Sequence, residues 1–147
     1  MFKTFTLFKI AALAAVALVA ALVMTGCGST AAEASTTVRV TEDEYTIKLS
    51  AASVPAGKVT FDVRNTGKLE HELVLLKTDL GPTALKMRAA ESKVDEEAGA
   101  ANVGEIEDIA DGASKSETFT LKPGKYVLVC NVVDHYKAGM AVAFEVK

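Results

Sequence analysis

The stretch GKYVLVCNVVDHYKAGM, residues 124–140, concentrates residue types that are rare in the rest of the chain. It contains Cys130, which is the only cysteine beyond residue 27, together with one of the two histidines, His135, and one of the four methionines, Met140. The apolar and β-branched residues before Cys130 and after Met140 predict two strands joined by a loop. A single loop would then bring a thiolate, an imidazole and a thioether to one point.

The other histidine, His71, follows a turn and begins a further predicted strand. Two imidazoles and a thiolate in a plane, with a methionine sulfur on a long axial bond, are the ligands of a mononuclear blue-copper site. Considered singly, Cys130 and Met140 are explained as core residues, and each histidine as a turn or loop residue. The order and strand context of all four favour copper ligation. Met87 is a rival axial ligand, but packing of a predicted helix explains it better.

The chain from residue 36 onward has mostly the pattern of strands. Short alternating or β-branched runs occupy residues 36–40, 45–49, 58–65, 71–76, 103–109, 115–121, 125–130 and 139–147. Residues 80–99 differ, because Pro82 can open a helix and apolar residues then recur at helical spacings. The sequence therefore predicts an all-β Greek-key sandwich of about seven or eight strands with one short helical insert.

Residues 1–26 have the pattern of an export signal. Two lysines precede an apolar run that is too short to span a bilayer comfortably. The segment VMTGC, which ends at Cys27, resembles the signal of a bacterial lipoprotein and implies a lipid on the Cys27 sulfur; an ordinary cleaved signal is the alternative. Residues 27–37 are small and polar and predict a flexible tether, so the domain is expected to comprise residues 38–147.

These features predict an exported protein that is lipid-anchored to the outer face of the cell membrane or to the periplasmic membrane face. Because Cys130 is a lone thiol in an oxidising compartment, its sulfur is expected to have another partner. The mature chain has a net charge of about −5, which argues against nucleic acid as a partner. The acidic runs at 95–99 and 105–111 lack the ligand spacing of a calcium loop. A monomer is expected.

The stretch at 124–140 and the upstream NTGKLEHELVLLKTD, residues 65–79, together resemble the cupredoxin family. The Cys-x4-His-x4-Met spacing is most similar to the rusticyanin and sulfocyanin type. The resemblance implies a β-sandwich, one copper ion per chain held by His71, Cys130, His135 and Met140, and one-electron transfer between Cu(I) and Cu(II).

Two residues next to the ligands differ from the pattern of many relatives. Asp134 replaces a glycine before the loop histidine, and Glu72 replaces an asparagine or serine that ties the two ligand loops together. We expect Glu72 to accept hydrogen bonds from the backbone of the Cys130 loop. Asn131, which follows Cys130, is expected to support the ligands in a similar way.

The resemblance also implies that one edge of the His135 ring reaches the surface and serves as the electron port. Tyr136, Ala138 and Gly139 are expected to form a small apolar rim on which a redox donor or acceptor docks. Weak electron-transfer encounters bury little area, so a small rim suffices.

The leading functional hypothesis is a membrane-tethered electron carrier without substrate turnover of its own. The alternative is a copper chaperone or scavenger outside the cytoplasm, although the methionine and histidine clusters typical of copper release are missing from the sequence. Multicopper enzymes need further histidines, and a binuclear copper centre needs a second cysteine ligand. A Cys–His hydrolase would need an oxyanion hole but no copper.

Overall fold

The computed structural model describes residues 35–147, so the predicted signal, Cys27 and most of the predicted tether lie outside the described residues. The described chain contains eleven strands and no helix: β1 (Thr36–Asp43), β2 (Thr46–Leu49), β3 (Ser53–Val54), β4 (Gly57–Asn65), β5 (His71–Lys77), β6 (Met87–Arg88), β7 (Lys93–Val94), β8 (Ala101–Ile109), β9 (Ser114–Leu121), β10 (Gly124–Val129) and β11 (Ala141–Val146). The first strand begins before the predicted start of the domain at residue 38.

Most strands belong to two mixed sheets. One sheet has the order β2-β1-β4-β9 and the other the order β3-β11-β10-β5-β8, while β6 and β7 form a separate two-stranded ribbon. The β1–β4 and β3–β11 pairs are parallel, and the remaining pairs are antiparallel. The all-β prediction is confirmed. Within residues 35–147 no helix could cross a membrane.

The core lies between the two sheets because alternate residues of their strands are apolar. In β4, for example, Val59, Phe61 and Val63 are buried while the residues between them face outward. Burying such side chains is the main favourable contribution to folding. The other buried members are Val38, Val40, Val54, Leu73, Leu75, Ile106, Ile109, Leu121, Tyr126, Leu128, Phe144 and Val146.

A second apolar cluster covers the outer face of the five-stranded sheet. Strands β5 and β10 contain continuous apolar runs, which are typical of strands buried on both faces. Their outward-facing residues pack against side chains from residues 80–99 and from the loop after β10. The buried members are Val74, Leu76, Leu85, Val94, Val127, Val129 and Tyr136.

The predicted helix over residues 80–99 is wrong. The segment consists of turns and the short β6–β7 ribbon, in which Met87 pairs with Val94. Its apolar residues cover the outer face of a sheet, and part of its backbone bonds to side chains of the loop after β10. These tertiary contacts override a helical pattern that only a few apolar residues supported.

Candidate metal centre

Neighbouring strands bring the predicted ligands to one end of the sandwich. His71 begins β5 and Cys130 directly follows β10, and these strands are antiparallel neighbours in which Val129 faces Val74. Met140 directly precedes β11. The ladder between β10 and β11 continues past their ends, because the Cys130 N–H donates to the carbonyl of Met140 at 3.0 Å.

The turn before His71 is organised by one buried side chain, Asn65. Its Nδ2 donates to the carbonyl oxygens of Leu69 at 2.7 Å and Ile109 at 2.9 Å, and its Oδ1 accepts a bond from the Gly67 N–H at 2.8 Å. His71 pairs with Ile109 in the adjacent strand. The Asn65 amide therefore fixes the turn against the strand beside which His71 lies.

Three potential ligand atoms meet at this end of the sandwich. The Cys130 Sγ lies 3.7 Å from His71 Nδ1 and 3.3 Å from His135 Nδ1, and the two nitrogens are 3.2 Å apart. All three residues are buried. Each contributes the ligand type that a copper site in a protein uses.

The triangle of these atoms has dimensions that suit a single metal ion. The point equidistant from the three atoms lies about 2.0 Å from each, and metal–nitrogen and metal–sulfur bonds are about 2.0–2.3 Å long. The residues therefore fit an ion in or near their plane.

Met140 is fully buried beside this group of residues. Its N–H donates to the carbonyl of His135 at 3.1 Å, while its own carbonyl accepts the Cys130 N–H at 3.0 Å. The backbone of Met140 is thus tied to both loop ligands. Axial ligation by its thioether stays a prediction.

Burial controls the protonation of the three ligands. It raises the pKa of the Cys130 thiol to about 12, against the opposing effect of hydrogen bonds from the backbone of Glu72 and Val132. The His71 pKa is lowered, first by burial and then by the nearby His135. Burial likewise lowers the His135 pKa. Without metal, the site at neutral pH therefore contains a thiol and two neutral imidazoles.

Glu72 and Asn131 both lie next to ligands, but they make contacts of different kinds. The Glu72 backbone N–H points at Cys130 Sγ from 3.5 Å. A hydrogen bond from the backbone of the Cys130 loop to the Glu72 carboxylate stays a prediction. Asn131 is buried, and its side chain bonds to Val94 and Glu96 in the 80–99 segment.

Asp134 has a backbone conformation that explains why glycine is common before the loop histidine. Its φ of 66° lies in the left-handed region, which glycine adopts without strain and aspartate tolerates better than most residues. The Asp134 carboxylate accepts a hydrogen bond from Lys137 Nζ at 3.2 Å, and this contact lowers the Asp134 pKa.

The expected electron port is covered. His135 is only 4% exposed, and the ring of Tyr45 packs edge-on against its imidazole with centroids 5.6 Å apart. Tyr45 itself is 44% exposed and occupies the turn between β1 and β2 with a φ of 67°. An aromatic residue is unusual in that conformation. No pattern in the sequence indicates this contact.

The structure places two of the three residues of the predicted apolar rim at the surface, and their role in docking stays a prediction. Ala138 and Gly139 are exposed, but Tyr136 is buried, and its hydroxyl accepts a hydrogen bond from the Leu85 N–H at 3.0 Å. Tyr136 therefore belongs to the second apolar cluster. The resemblance alone implied a surface position for Tyr136, and no pattern in the sequence indicates that residues 80–99 pack against it.

Glu44 lies beside the imidazole of His71. Its Oε1 is 4.0 Å from His71 Nε2 and accepts hydrogen bonds from the backbone N–H groups of Leu69, at 2.8 Å, and Lys68. These two bonds lower the Glu44 pKa to about 2. A charged carboxylate is therefore held 4.0 Å from the buried Nε2 of His71, which has no hydrogen-bond partner among the described residues.

A second glutamate, Glu42 in β1, is fully buried, and among the described residues neither of its carboxylate oxygens has a hydrogen-bond partner. Burial, and to a lesser extent the charge of Glu72, raises the Glu42 pKa to about 8. Sequence reasoning missed both Glu42 and Glu44 because they lie in a strand and a turn that contain no ligand.

The comparisons with known proteins agree with this geometry. The family model described as a cupredoxin-like domain matches residues 14–143. No curated protein matches the chain. Among solved structures, dithionite-reduced auracyanin from Roseiflexus castenholzii is 22% identical, with 78% of this chain and 98% of that chain covered and a TM-score of 0.56.

Two further structures show the same fold. Auracyanin A, a "blue" copper protein from Chloroflexus aurantiacus, is 20% identical over 78% of this chain and 100% of its own, with a TM-score of 0.55. Rusticyanin from Thiobacillus ferrooxidans is 16% identical over 78% of this chain and 79% of its own, with a TM-score of 0.52. The chain therefore belongs to the cupredoxin-like family, and its site of His71, Cys130 and His135 is compatible with one copper ion.

Proposed function

We propose that this protein carries single electrons between two redox partners, with one copper ion that cycles between Cu(I) and Cu(II). The observation that carries the proposal is the buried triangle of His71, Cys130 and His135, whose ligand atoms lie 3.2–3.7 Å apart. Copper supplies the one-electron chemistry. The chain supplies a soft thiolate and two imidazoles, which together suit both oxidation states.

The ligands are held by backbone hydrogen bonds that do not depend on metal. The His135 N–H donates to Val132, the Met140 N–H to His135, and the Cys130 N–H to Met140, at 3.0–3.1 Å. A loop closed in this way changes little when the charge of the site changes. Little rearrangement is the condition for fast electron transfer.

Burial of the site favours electron transfer over the other functions considered. Cys130 and Met140 are fully buried and His135 nearly so, and these three residues therefore offer almost no surface to a substrate. Copper release to an acceptor protein would also require this site to open. The geometry therefore supports a carrier better than an enzyme, a chaperone or a scavenger.

The partner would dock where exposed apolar side chains surround the covered His135. Three of the four exposed large apolar residues of the described chain, Tyr45, Leu69 and Val133, belong to the segments next to the ligands. We call them the docking patch. Asp43, Glu70 and Lys68 are exposed on the same segments, so charges of both signs surround the apolar residues.

Attachment to a membrane through a lipid on Cys27 completes the proposal. The signal pattern before Cys27 and the small polar residues after it support this part. Mass spectrometry of the protein purified from membranes should show a lipidated N-terminal Cys27. Recovery of the Cys27→Ala variant in the membrane fraction would contradict the anchor but not the copper site.

Voltammetry of the copper-loaded protein tests electron transfer. A carrier should show one reversible one-electron couple and retain its copper through repeated cycles, whereas Cys130→Ser should show no such couple. Loss of copper on reduction, with rapid transfer to an apo-acceptor, would instead support a chaperone.

A further inference from the structure

Residues 80–99 bond to the loop that contains Cys130 and His135. We call this segment the brace. Asn131 directly follows Cys130 and is 2% exposed. Its Oδ1 accepts the Val94 N–H at 2.6 Å, and its Nδ2 donates to the Val94 carbonyl at 3.2 Å. The amide thus pairs with both backbone groups of Val94, much as a neighbouring strand would.

The second loop ligand is followed by an equivalent contact. Tyr136 comes directly after His135, and its buried hydroxyl accepts the Leu85 N–H at 3.0 Å. Two more bonds join the brace to this loop: the Asp134 N–H donates to the Ser92 carbonyl at 3.1 Å, and Lys137 Nζ donates to Ser92 Oγ at 2.5 Å. Each loop ligand is therefore flanked by a residue that bonds to the brace.

The brace is itself fixed to the rest of the domain. Leu85 and Val94 are buried against outward-facing residues of β5 and β10. At its end, the Gly99 carbonyl accepts a bond from Thr78 Oγ1 at 2.8 Å. Glu96 connects the loop to β8, since its carboxylate accepts hydrogen bonds from Asn131 Nδ2 and from Asn102 Nδ2, each at 2.6 Å. The loop is thus anchored to a fixed element.

We propose that residues 80–99 hold the loop ligands in place before metal binds, and that Asn131 and Tyr136 are the positioning residues through which they act. The metal-loaded part of this inference rests on the proposed function. Buried polar groups without partners are costly. Movement of the loop away from the brace is therefore unfavourable, because it would leave backbone groups of Val94 and Leu85 without hydrogen-bond partners. The energetic preference for these bonds fixes where Cys130 and His135 can lie.

The test uses two variants and one control. Tyr136→Phe removes only the hydroxyl that binds Leu85, and Asn131→Ala removes the amide that binds Val94. Arg88→Ala is the matched control in the brace, because the Arg88 side chain forms an exposed ion pair with Glu91 and not a bond to the loop. Tyr136→Phe provides the test if Asn131→Ala fails to fold.

Two measurements follow. In the apo-proteins, the His135 and Met140 amides should exchange with deuterium severalfold faster in both variants than in wild type and in Arg88→Ala. In the copper-loaded proteins, both variants should lose copper to excess chelator about 10-fold faster. Wild-type exchange and copper loss in folded Tyr136→Phe and Asn131→Ala would overturn the proposal. If wild type bound no blue copper, the proposed function would fail, while amide exchange would still decide the role of the brace.

Discussion

The Nδ1 atoms of His71 and His135 lie 3.2 Å apart, and burial lowers the pKa of both rings. Two protonated imidazoles would repel each other at this distance, and the lowered pKa of each ring favours the neutral form at pH 7. Neutral imidazole is also the form that binds metal. The folded chain therefore holds these two nitrogens in position for an ion, although they face one another at short distance when no ion is bound.

Copper binding should release one proton per ion at pH 7–8. The Cys130 pKa is about 12, so the thiol is protonated in this range, while both histidines have already lost their protons. Titration of the weakly buffered apo-protein with Cu(II) measures the release, and apparent affinity should rise about tenfold per pH unit. Release near zero would show that Cys130 is not the ligand that loses the proton.

Glu42 should make the apo-protein less stable as pH rises. Its folded pKa of about 8 exceeds its ordinary value of 4.5, so the folded state holds the proton more tightly and its stability falls between these two pH values. The total loss from this group is on the order of 3–5 kcal/mol. Urea unfolding should find Glu42→Gln close to wild type at pH 4.5 and more stable at pH 8.

Glu117→Gln, a change at an exposed residue of β9, is the control for that comparison. It should follow the wild-type pH dependence. The interpretation of Glu42 would be wrong if Glu42→Gln also followed the wild-type curve from pH 4.5 to pH 8.

At position 134, a glycine should give a more stable protein than an alanine, which is the reverse of their usual order of stability. The Asp134 φ of 66° strains any residue with a Cβ, so Asp134→Gly should be more stable to urea than Asp134→Ala by about 1 kcal/mol. Both variants lose the exposed contact with Lys137, which therefore cancels in the comparison. Equal or greater stability of the alanine variant would show that this backbone conformation is not retained.

Tyr45 should limit the access of small molecules to His135. Tyr45→Asn removes the ring that covers the imidazole but keeps a residue type that tolerates a φ of 67°. Stopped-flow oxidation of the reduced protein by hexacyanoferrate(III) should become severalfold faster in Tyr45→Asn and stay unchanged in Tyr45→Phe. Val103→Asn, at an exposed apolar residue toward the other end of β8, is the control. An unchanged or slower rate in Tyr45→Asn would contradict the shielding role.

Sequence patterns predicted most of the strands and the loop that contains Cys130 and His135, because both depend on local order. The position of His71 beside this loop was implied by the resemblance to the cupredoxin family. The run before Cys130 and the turn before His71 each indicate an element that ends or begins at a ligand. The brace and the Tyr45 contact could not be predicted in this way. Each depends on a pairing between distant segments, Asn131 with Val94 and Tyr45 with His135, and nothing in either segment alone indicates its partner.

The most direct test is visible and electron paramagnetic resonance spectroscopy of the protein with one equivalent of Cu(II), beside Cys130→Ser and His71→Ala. We predict an intense blue thiolate-to-copper band and a narrow copper hyperfine splitting in wild type, loss of the band in Cys130→Ser, and a weakened or altered signal in His71→Ala. A colourless wild-type protein, or a spectrum that both substitutions leave unchanged, would contradict a copper site formed by His71, Cys130 and His135.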